Sequence, residues 1–294
     1  MRTLAAGLML TIALLARDPL ARRIVHNDPA QYRPSKATHA GAGELRYQTL
    51  LPRGVLAEMN FVHRGWLMPK SSIGHHFHNS SEEMFLILGG EAQFTVDGRT
   101  SVVEGPVGVP SKVGHAHALY NPSGKPLEWM NISVQSGPAA APGVRDPTAT
   151  FDLGDDRVGA PLDAKPVFIT IRLQRSLLRP VAAMNGGTGT VQYRRAVGPS
   201  LFSSRWAYLD HVLLSPGTSV GRHMHAGVDE FYYVMAGEGT VRVGDEVAKI
   251  REGDGVPLPA GDVHSFENAG SGPIELLILG LAKDKGMLDT TNVK

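Results

Sequence analysis

The stretch Gly217–Gly237, GTSVGRHMHAGVDEFYYVMAG, decides the reading of this chain, because Lys70–Gly90, KSSIGHHFHNSSEEMFLILGG, repeats its chemistry. His223, His225 and Glu230 stand 147 positions after His76, His78 and Glu83 (223−76, 225−78, 230−83), and His264 stands 147 after His117. Gly90 with Gly237, Gly114 with Gly261 and Asn121 with Asn268 keep the same register. Repetition at one fixed separation points to a duplicated unit. A weaker echo precedes each unit: Gly41-Ala42-Gly43 with Tyr47, then Gly187-Thr188-Gly189 with Tyr193, 146 apart.

The patterning around these residues is that of strands. Val55–Phe61, Met84–Leu88, Ala92–Val96 and Leu127–Val134 are short apolar runs, matched later by Trp206–Leu214, Phe231–Met235, Thr240–Val243 and Ile274–Leu281. Turns such as Asp97-Gly98 separate them. Thr170–Leu178 is the stretch with some helical character, although Ile169 and Ile171 equally suit a strand. Many short strands close most readily into barrels or sandwiches, which remove exposed edges. A chain of 294 residues accommodates two such units, able to pair about a pseudo-twofold axis. The boundaries read as an N-terminal extension and arm over 1–43, a first barrel over 44–135, a linker over 136–163, a second barrel over 164–284 and a tail over 285–294.

On a strand, residues two apart share a face. His76 and His78, and likewise His223 and His225, therefore aim two imidazoles into one interior. Glu83 or Glu230 opens the next strand, and His117 or His264 arrives from a more distant one. A lone histidine on a strand is ordinarily a packing or surface residue; three with a glutamate, twice in register, form a ligand set. Nitrogen and oxygen donors of this kind suit Mn, Fe, Co, Ni or Zn. In an octahedral site four protein ligands leave two positions open, which favours a reactive centre. Glu82 is the alternative carboxylate, but Glu83 is the one in register with Glu230. His75 reads as a neighbour of the set. Phe85, Tyr232, Trp66 and Trp206 read first as core residues.

These motifs resemble those of the cupin superfamily, and their duplication resembles the two-domain bicupins. The second half has Gly217, His223, His225, Glu230 and Gly237 at the family's spacing, then Gly253, Pro259, Gly261, His264 and Asn268. The first half departs from it with Lys70 in place of the opening glycine, and with Pro110 four residues before Gly114 rather than two. The resemblance implies an all-β fold of two double-stranded β-helix (jelly-roll) barrels. It also implies metal ligands at His76, His78, Glu83, His117, His223, His225, Glu230 and His264. Two divalent transition-metal ions per chain are expected, Fe or Mn foremost, with Ni, Co or Zn compatible, and the complete second motif predicts the tighter site there.

The activity expected from this is that of a metal-dependent oxidoreductase, a non-haem dioxygenase or relative acting on a small oxygenated or aromatic substrate. Tyr232 is the candidate proton-handling residue of the second half by strand parity, and His115 that of the first. An oxalate-decarboxylase-like lyase, a sugar isomerase and a noncatalytic small-ligand-binding module are the alternatives. The oxalate reading wants a cation over the metal, yet Arg222 has the wrong parity to supply one.

Composition excludes other classes. Lys plus Arg (29) nearly balances Asp plus Glu (28), with no basic block to hold nucleic acid. With Cys at 0 there is neither a disulfide framework nor a thiolate site. Leu4–Ala16 is an apolar run of 13 residues, too short for a membrane span. Cytoplasmic residence is the expectation; a secreted or periplasmic protein is the alternative if residues 1–16 act as a signal peptide. The expected partner is a small-molecule substrate, with a homodimer or higher homo-oligomer compatible with the fold.

Overall fold

The computed structural model describes residues 18–137 and 149–294. The apolar run at Leu4–Ala16 and part of the expected linker lie outside them. Among the described residues, no helix is long and apolar enough to cross a membrane.

Two all-β barrels dominate the chain. The first uses β1 (Arg33–Lys36), β2 (Glu44–Pro52), β3 (Met59–Leu67), β4 (Ser72–His78), β5 (Ser81–Ile87), β6 (Glu91–Val96), β7 (Arg99–Glu104), β8 (Val107–Ser111), β9 (His117–Tyr120) and β10 (Leu127–Gln135). Three short strands follow: β11 (Thr150–Asp152), β12 (Leu162–Asp163) and β13 (Ile171–Arg172). The second barrel uses β14 (Arg179–Ala182), β15 (Thr190–Val197), β16 (Trp206–Leu214), β17 (Ser219–Met224), β18 (Val228–Ala236), β19 (Glu238–Val243), β20 (Glu246–Arg251), β21 (Gly255–Leu258), β22 (His264–Glu267), β23 (Ile274–Ala282) and β24 (Thr291–Asn292).

Each barrel is a sandwich of two sheets curled face to face, the jelly-roll form. In the first, the order β1-β2-β3-β10-β5-β8-β13 faces β11-β4-β9-β6-β7-β12; in the second, β14-β15-β16-β23-β18-β21 faces β20-β19-β22-β17-β24. The register repeats as the sequence does: Asn131 pairs His63 on β10 and β3, and Ile278 pairs Asp210 on β23 and β16. The strand expected from Val55 begins instead at Met59, because Glu58 takes a left-handed φ of 62° and turns the chain just before it.

Three apolar clusters hold these layers together. One fills the second barrel and includes Val212, Val234, Phe266 and Leu276; another fills the first and includes Phe85, Phe94, Leu119 and Trp129. The third joins the barrels, with Leu50, Met84, Leu86 and Ile132 against Phe231, Tyr233, Leu277 and Leu279. Outward residues of one sheet in each barrel are therefore apolar too, which removes their surface from water. Glu82 lies at this junction and accepts hydrogen bonds from Ser203 N and Oγ and from Ser204 N.

The segments outside the barrels trade partners, so the boundaries drawn on the sequence shift. In the N-terminal segment, Leu20 and Ile24 pack into the core of the second barrel, and Val25 bridges to Gly255. β1, inside the expected arm, joins the first sheet. β11 and β12, inside the expected linker, pair with β4 and β7, and β13 pairs with β8 of the first barrel although it falls within 164–284. Arg175–Leu177 is a single 3-10 turn rather than a helix. The expected tail carries β24, which pairs with β17.

The glycine echo has a steric cause. The chain preceding each barrel folds against β4 or β17 so closely that a Cβ on Gly41 would lie 2.2 Å from Ser72 O, and one on Gly187 2.2 Å from Ser219 O. Gly41→Ala and Gly187→Ala should each cost about 1–3 kcal/mol through this overpacking, whereas Gly124→Ala, with open space around it, should be near neutral. Thermal or denaturant unfolding of the three variants checks the ranking; a neutral Gly41→Ala would contradict the close approach.

Candidate metal centres

In the first barrel, β4 and β9 set His76 directly across from His117, with a register irregularity just before His76. His78 follows two residues along β4, and Glu83 reaches in from β5 on the opposite sheet. The second barrel repeats this with His223 across from His264, His225 two residues on, and Glu230 on β18. All eight side chains are buried, and within each set one donor atom per residue lies within 4.8 Å of every other.

The imidazoles are fixed in the tautomer a metal needs. His76 Nδ1 donates to Gly74 O and His223 Nδ1 to Gly221 O, both at 2.8 Å, and His264 Nδ1 donates to Asp262 O at 2.9 Å. His225 Nδ1 donates to Asp289 O from the C-terminal segment. A carbonyl can only accept, so in each of these rings the proton is on Nδ1 and Nε2 presents a lone pair. His78 Nδ1 meets Thr150 Oγ1 at 2.9 Å.

Burial then leaves atoms without partners at the centres. His78 Nε2, His117 Nε2, His225 Nε2 and Glu230 Oε2 are buried and make no hydrogen bond. Unsatisfied buried donors and acceptors are costly, and a cation at the focus of each set satisfies all of them. The residues present therefore fit a divalent transition ion at both places, and the mixed imidazole–carboxylate donors suit Mn or Fe.

Electrostatics agrees. Burial alone would raise the Glu83 carboxyl, but His78 and His117 hold it well below the usual carboxylate range. Glu230 behaves alike: against burial, His264, His225 and His223 bring it to about 2. Burial and neighbouring imidazoles push His76 well below its ordinary value and His223 down to about 4. Each carboxylate is further oriented, Glu83 Oε2 by Asn131 Nδ2 at 3.0 Å and Glu230 Oε1 by the Tyr208 hydroxyl at 2.8 Å.

The two centres differ in what surrounds them. A cavity of about 800 Å³ reaches His76, His78 and Glu83 of the first set, with Tyr47, Phe61, His63, Phe85, Trp129 and Asn131 among its walls. In the second barrel the equivalents of Phe61 and His63 (61+147, 63+147) are Tyr208 and Asp210. Arg195 binds Asp210 with two nitrogens at 2.9 and 3.0 Å and lies 4.4 Å over the Tyr208 ring, while Tyr193 donates to the same carboxylate at 3.0 Å. Tyr208 covers Gly280 so tightly that a Cβ there would sit 2.4 Å from its ring carbon Cζ. Buried Tyr208 and Asp210, the latter paired with an exposed Arg195, thus stand where Phe61 and His63 line the cavity of the first barrel.

The Tyr232 hydroxyl lies 3.4 Å from His264 Nε2, and its ring stacks on Phe266 at 4.0 Å. Burial and Glu230 push that hydroxyl's pKa well above its usual value, so it stays protonated. His115 does not reach the cavity: its ring is half exposed and pairs with Asp97 at 2.7 Å, because the turn before β9 directs it outward. Glu82 faces the barrel junction, His75 faces Asp155 at 3.2 Å, and Arg222 is exposed.

Sequence reasoning missed His39, His63, Trp129 and Asn131. His39 stacks on His76 at 3.7 Å with Nδ1 2.7 Å from Asp152 Oδ1. Applying the 147-residue register to every inward position, rather than to the ligands alone, would have exposed the His63/Asp210 and Asn131/Ile278 contrasts.

The family model described as "Cupin domain" matches twice, at residues 66–133 and 210–280. The oxalate-binding protein of Thermotoga maritima is 32% identical over 97 residues, covering 33% of this chain and 80% of that protein. The tetracenomycin polyketide synthase protein TcmJ of Streptomyces glaucescens is 27% identical over 126 residues, covering 42% of this chain and 81% of that one. Oxalate decarboxylase from Bacillus subtilis superposes with a TM-score of 0.61 at 17% identity, covering 92% of this chain and 78% of that structure. The chain belongs to the cupin superfamily and is a bicupin.

The buried histidines also mark the chain's response to acid. Burial, opposed by Glu83, lowers His63 to about 4. The unfolded chain protonates this residue below about pH 6.5 and the folded chain does not. Its contribution to stability is thus complete above pH 6.5 and lost as pH falls toward 4. His78 and His264 shift upward despite burial, through Glu83 and Glu230, and act oppositely, so the informative quantity is a difference. In thermal melts of the metal-free chain, His63→Asn should show a shallower loss of stability between pH 6.5 and 4 than the parent; parallel curves would contradict the desolvation of the half-buried His63.

Proposed function

We propose that this bicupin is a metal-dependent enzyme that works at its first centre, oxidising a small oxygenated or aromatic molecule in a dioxygenase-type reaction. One observation carries this reading: an aromatic and polar cavity opens onto His76, His78 and Glu83, whereas the equivalent space at the second centre holds Tyr208 and the Arg195–Asp210 pair. His76, His78, Glu83 and His117 would hold Mn or Fe, which supplies Lewis-acid polarisation and one-electron chemistry with dioxygen. The chain's own residues do the rest. Asn131 fixes the carboxylate of Glu83, the carbonyl of Gly74 fixes the ring of His76, and Tyr47, Phe61 and Phe85 exclude water from one side of a bound ring. His39, held by Asp152, overhangs the ligand histidines.

The second centre, on this reading, joins the C-terminal segment to its barrel through His225 and Asp289, and stabilises the fold by binding metal. Tyr232 there contacts the ligand set rather than substrate. A decarboxylase-type reaction on oxalate is the second reading, favoured by the oxalate-binding relative and by the fold shared with oxalate decarboxylase. It is weaker because the cavity's arginine or lysine lining among the described residues is Arg53, exposed at the rim rather than held over the centre.

The test is purification without chelator, elemental analysis, and turnover of a panel of phenols, hydroxy acids and oxalate under air and under argon. Oxygen uptake coupled to substrate loss is expected. Carbon dioxide released from oxalate with no oxygen consumed would select the second reading, and bound metal with no turnover would leave a binding module. His78→Ala should lower kcat roughly a hundredfold or more. His225→Ala should keep most activity while lowering Tm through lost metal linkage. Equal loss of activity in both variants would contradict the assignment of roles.

A further inference from the structure

We infer that the C-terminal strap, residues 289–293, is the outer half of the second metal centre, with Asp289 positioning His225 so that strap and ion hold each other in place, an inference that rests on the reading that this centre binds metal and not on the chemistry at the first. One part of the duplicated plan keeps its own register. β11 lies antiparallel to β4 with Phe151 opposite Phe77 and Asp152 opposite His76, and β24 lies antiparallel to β17 with Thr291 opposite Met224 and Asn292 opposite His223. Met224 and His223 stand 147 after Phe77 and His76, yet Thr291 and Asn292 stand only 140 after Phe151 and Asp152 (291−151, 292−152). The pairing continues alike at the next residue, Leu153 N donating to His75 O at 2.8 Å and Val293 N to Arg222 O at 2.9 Å. Each barrel therefore has a strap laid along its own ligand strand.

Each strap also meets the outer nitrogen of the second histidine. Thr150 Oγ1 lies 2.9 Å from His78 Nδ1, and Thr290, 140 positions on, holds its Oγ1 3.5 Å from His225 Nδ1. In the second barrel a carbonyl takes the proton, His225 Nδ1 donating to Asp289 O. The Asp289 carboxylate reaches the turn that follows, its Oδ2 accepting from Ala226 N at 2.5 Å and from Gly227 N at 3.1 Å. Its other oxygen, Oδ1, is buried, makes no hydrogen bond and stands 4.0 Å from His225 Nδ1. A buried carboxylate oxygen without a donor is costly, and positive charge on the imidazole offsets that cost. A cation on Nε2 supplies it. By drawing electrons from the ring it makes Nδ1–H a better donor to Asp289 O and favours the carboxylate beside it.

Little apolar contact holds the strap. Thr290, Thr291 and Asn292 are exposed, and Asp289 and Val293 are half-buried. Where Phe151 stacks on Phe77 at 5.2 Å in the first barrel, the second has Thr291 beside Met224. A segment with few apolar contacts and exposed backbone hydrogen bonds opens locally at low cost. The polar contacts at His225 and at the turn after it therefore decide whether the strap is docked, and those at His225 strengthen with the ion. Such coupling is reciprocal: the factor by which the strap tightens the ion is the factor by which the ion tightens the strap. Outer partners of ligand histidines contribute about 10–100-fold in metal affinity.

The test uses zinc and the full-length chain. Under conditions in which the core amides of β23 do not exchange, zinc should slow hydrogen exchange at Ala226, Gly227 and Val293 about tenfold or more. In a His78→Ala chain, whose first centre lacks a ligand, Asp289→Asn should weaken zinc at the second about tenfold in chelator competition. Removing residues 289–294 should weaken it by the same factor by which zinc slows exchange at Val293. Asp289→Asn keeps an acceptor for Ala226 N and Gly227 N and removes only the charge, so a merely structural role would leave zinc affinity unmoved. Exchange unaffected by bound zinc, parental affinity in either variant, or unequal factors would each overturn the inference. The exchange measurement is made on the unsubstituted chain and stands even if a variant fails to fold. Zinc held at the second centre with strap exchange unchanged sinks this inference alone, whereas a second centre that takes no zinc sinks the reading beneath it as well.

Discussion

A carboxylate buried among three imidazoles is the constraint from which the rest of this structure follows. Glu83 and Glu230 are both fully enclosed and both held ionised by histidines. An ionised group in such a place is costly unless surrounding donors or a cation compensate it. The fold answers by bringing two sheets face to face so that β4 and β9, or β17 and β22, aim imidazole nitrogens at the carboxylate of the facing strand. Backbone carbonyls then fix the rings. The segments outside the barrels complete the arrangement: Thr150 of β11 meets His78, and Asp289 near the C-terminus holds His225.

The same core built twice allowed the surroundings to diverge. One set of inward positions, Phe61, His63 and Asn131, lines a cavity; its counterpart is Tyr208, Asp210 and Ile278, all buried. That set needed several changes together, because Asp210 is tolerated in the interior only with Arg195 and Tyr193 beside it. Removing one partner of such a network leaves a buried charge alone. The second barrel thus carries a set of mutually dependent residues at positions that, in the first, line a cavity.

Much of this is legible in the sequence. Metal-ligand residue types at one spacing, repeated 147 positions on, fix both the duplication and the four residues that meet. Strand parity correctly sent Arg222 outward and Tyr232 inward. What stayed hidden has physical reasons. His115 shares parity with His117 but precedes β9, where the turn removes the alternation on which the parity argument relies. His39 belongs to a segment with no periodic pattern, placed by the close approach of Gly41 to β4. The exchange of terminal and linking segments between barrels depends on single pairings such as Val25 with Gly255 and Ile171 with Gly108, which leave no composition signal. Openness is a property of volume, and volume emerges only when Tyr208 is seen lying over Gly280.

The central claim is that one ligand constellation is built twice, with a cavity reaching the first copy. Anomalous diffraction at the metal absorption edge, collected from crystals grown without chelator and again after brief soaks in EDTA, tests it most directly. The account predicts two peaks at the outset, one within each set of three histidines and a glutamate, and loss of the peak at His76, His78, Glu83 and His117 well before the other. A missing peak at either set, or earlier loss from His223, His225, Glu230 and His264, would contradict it.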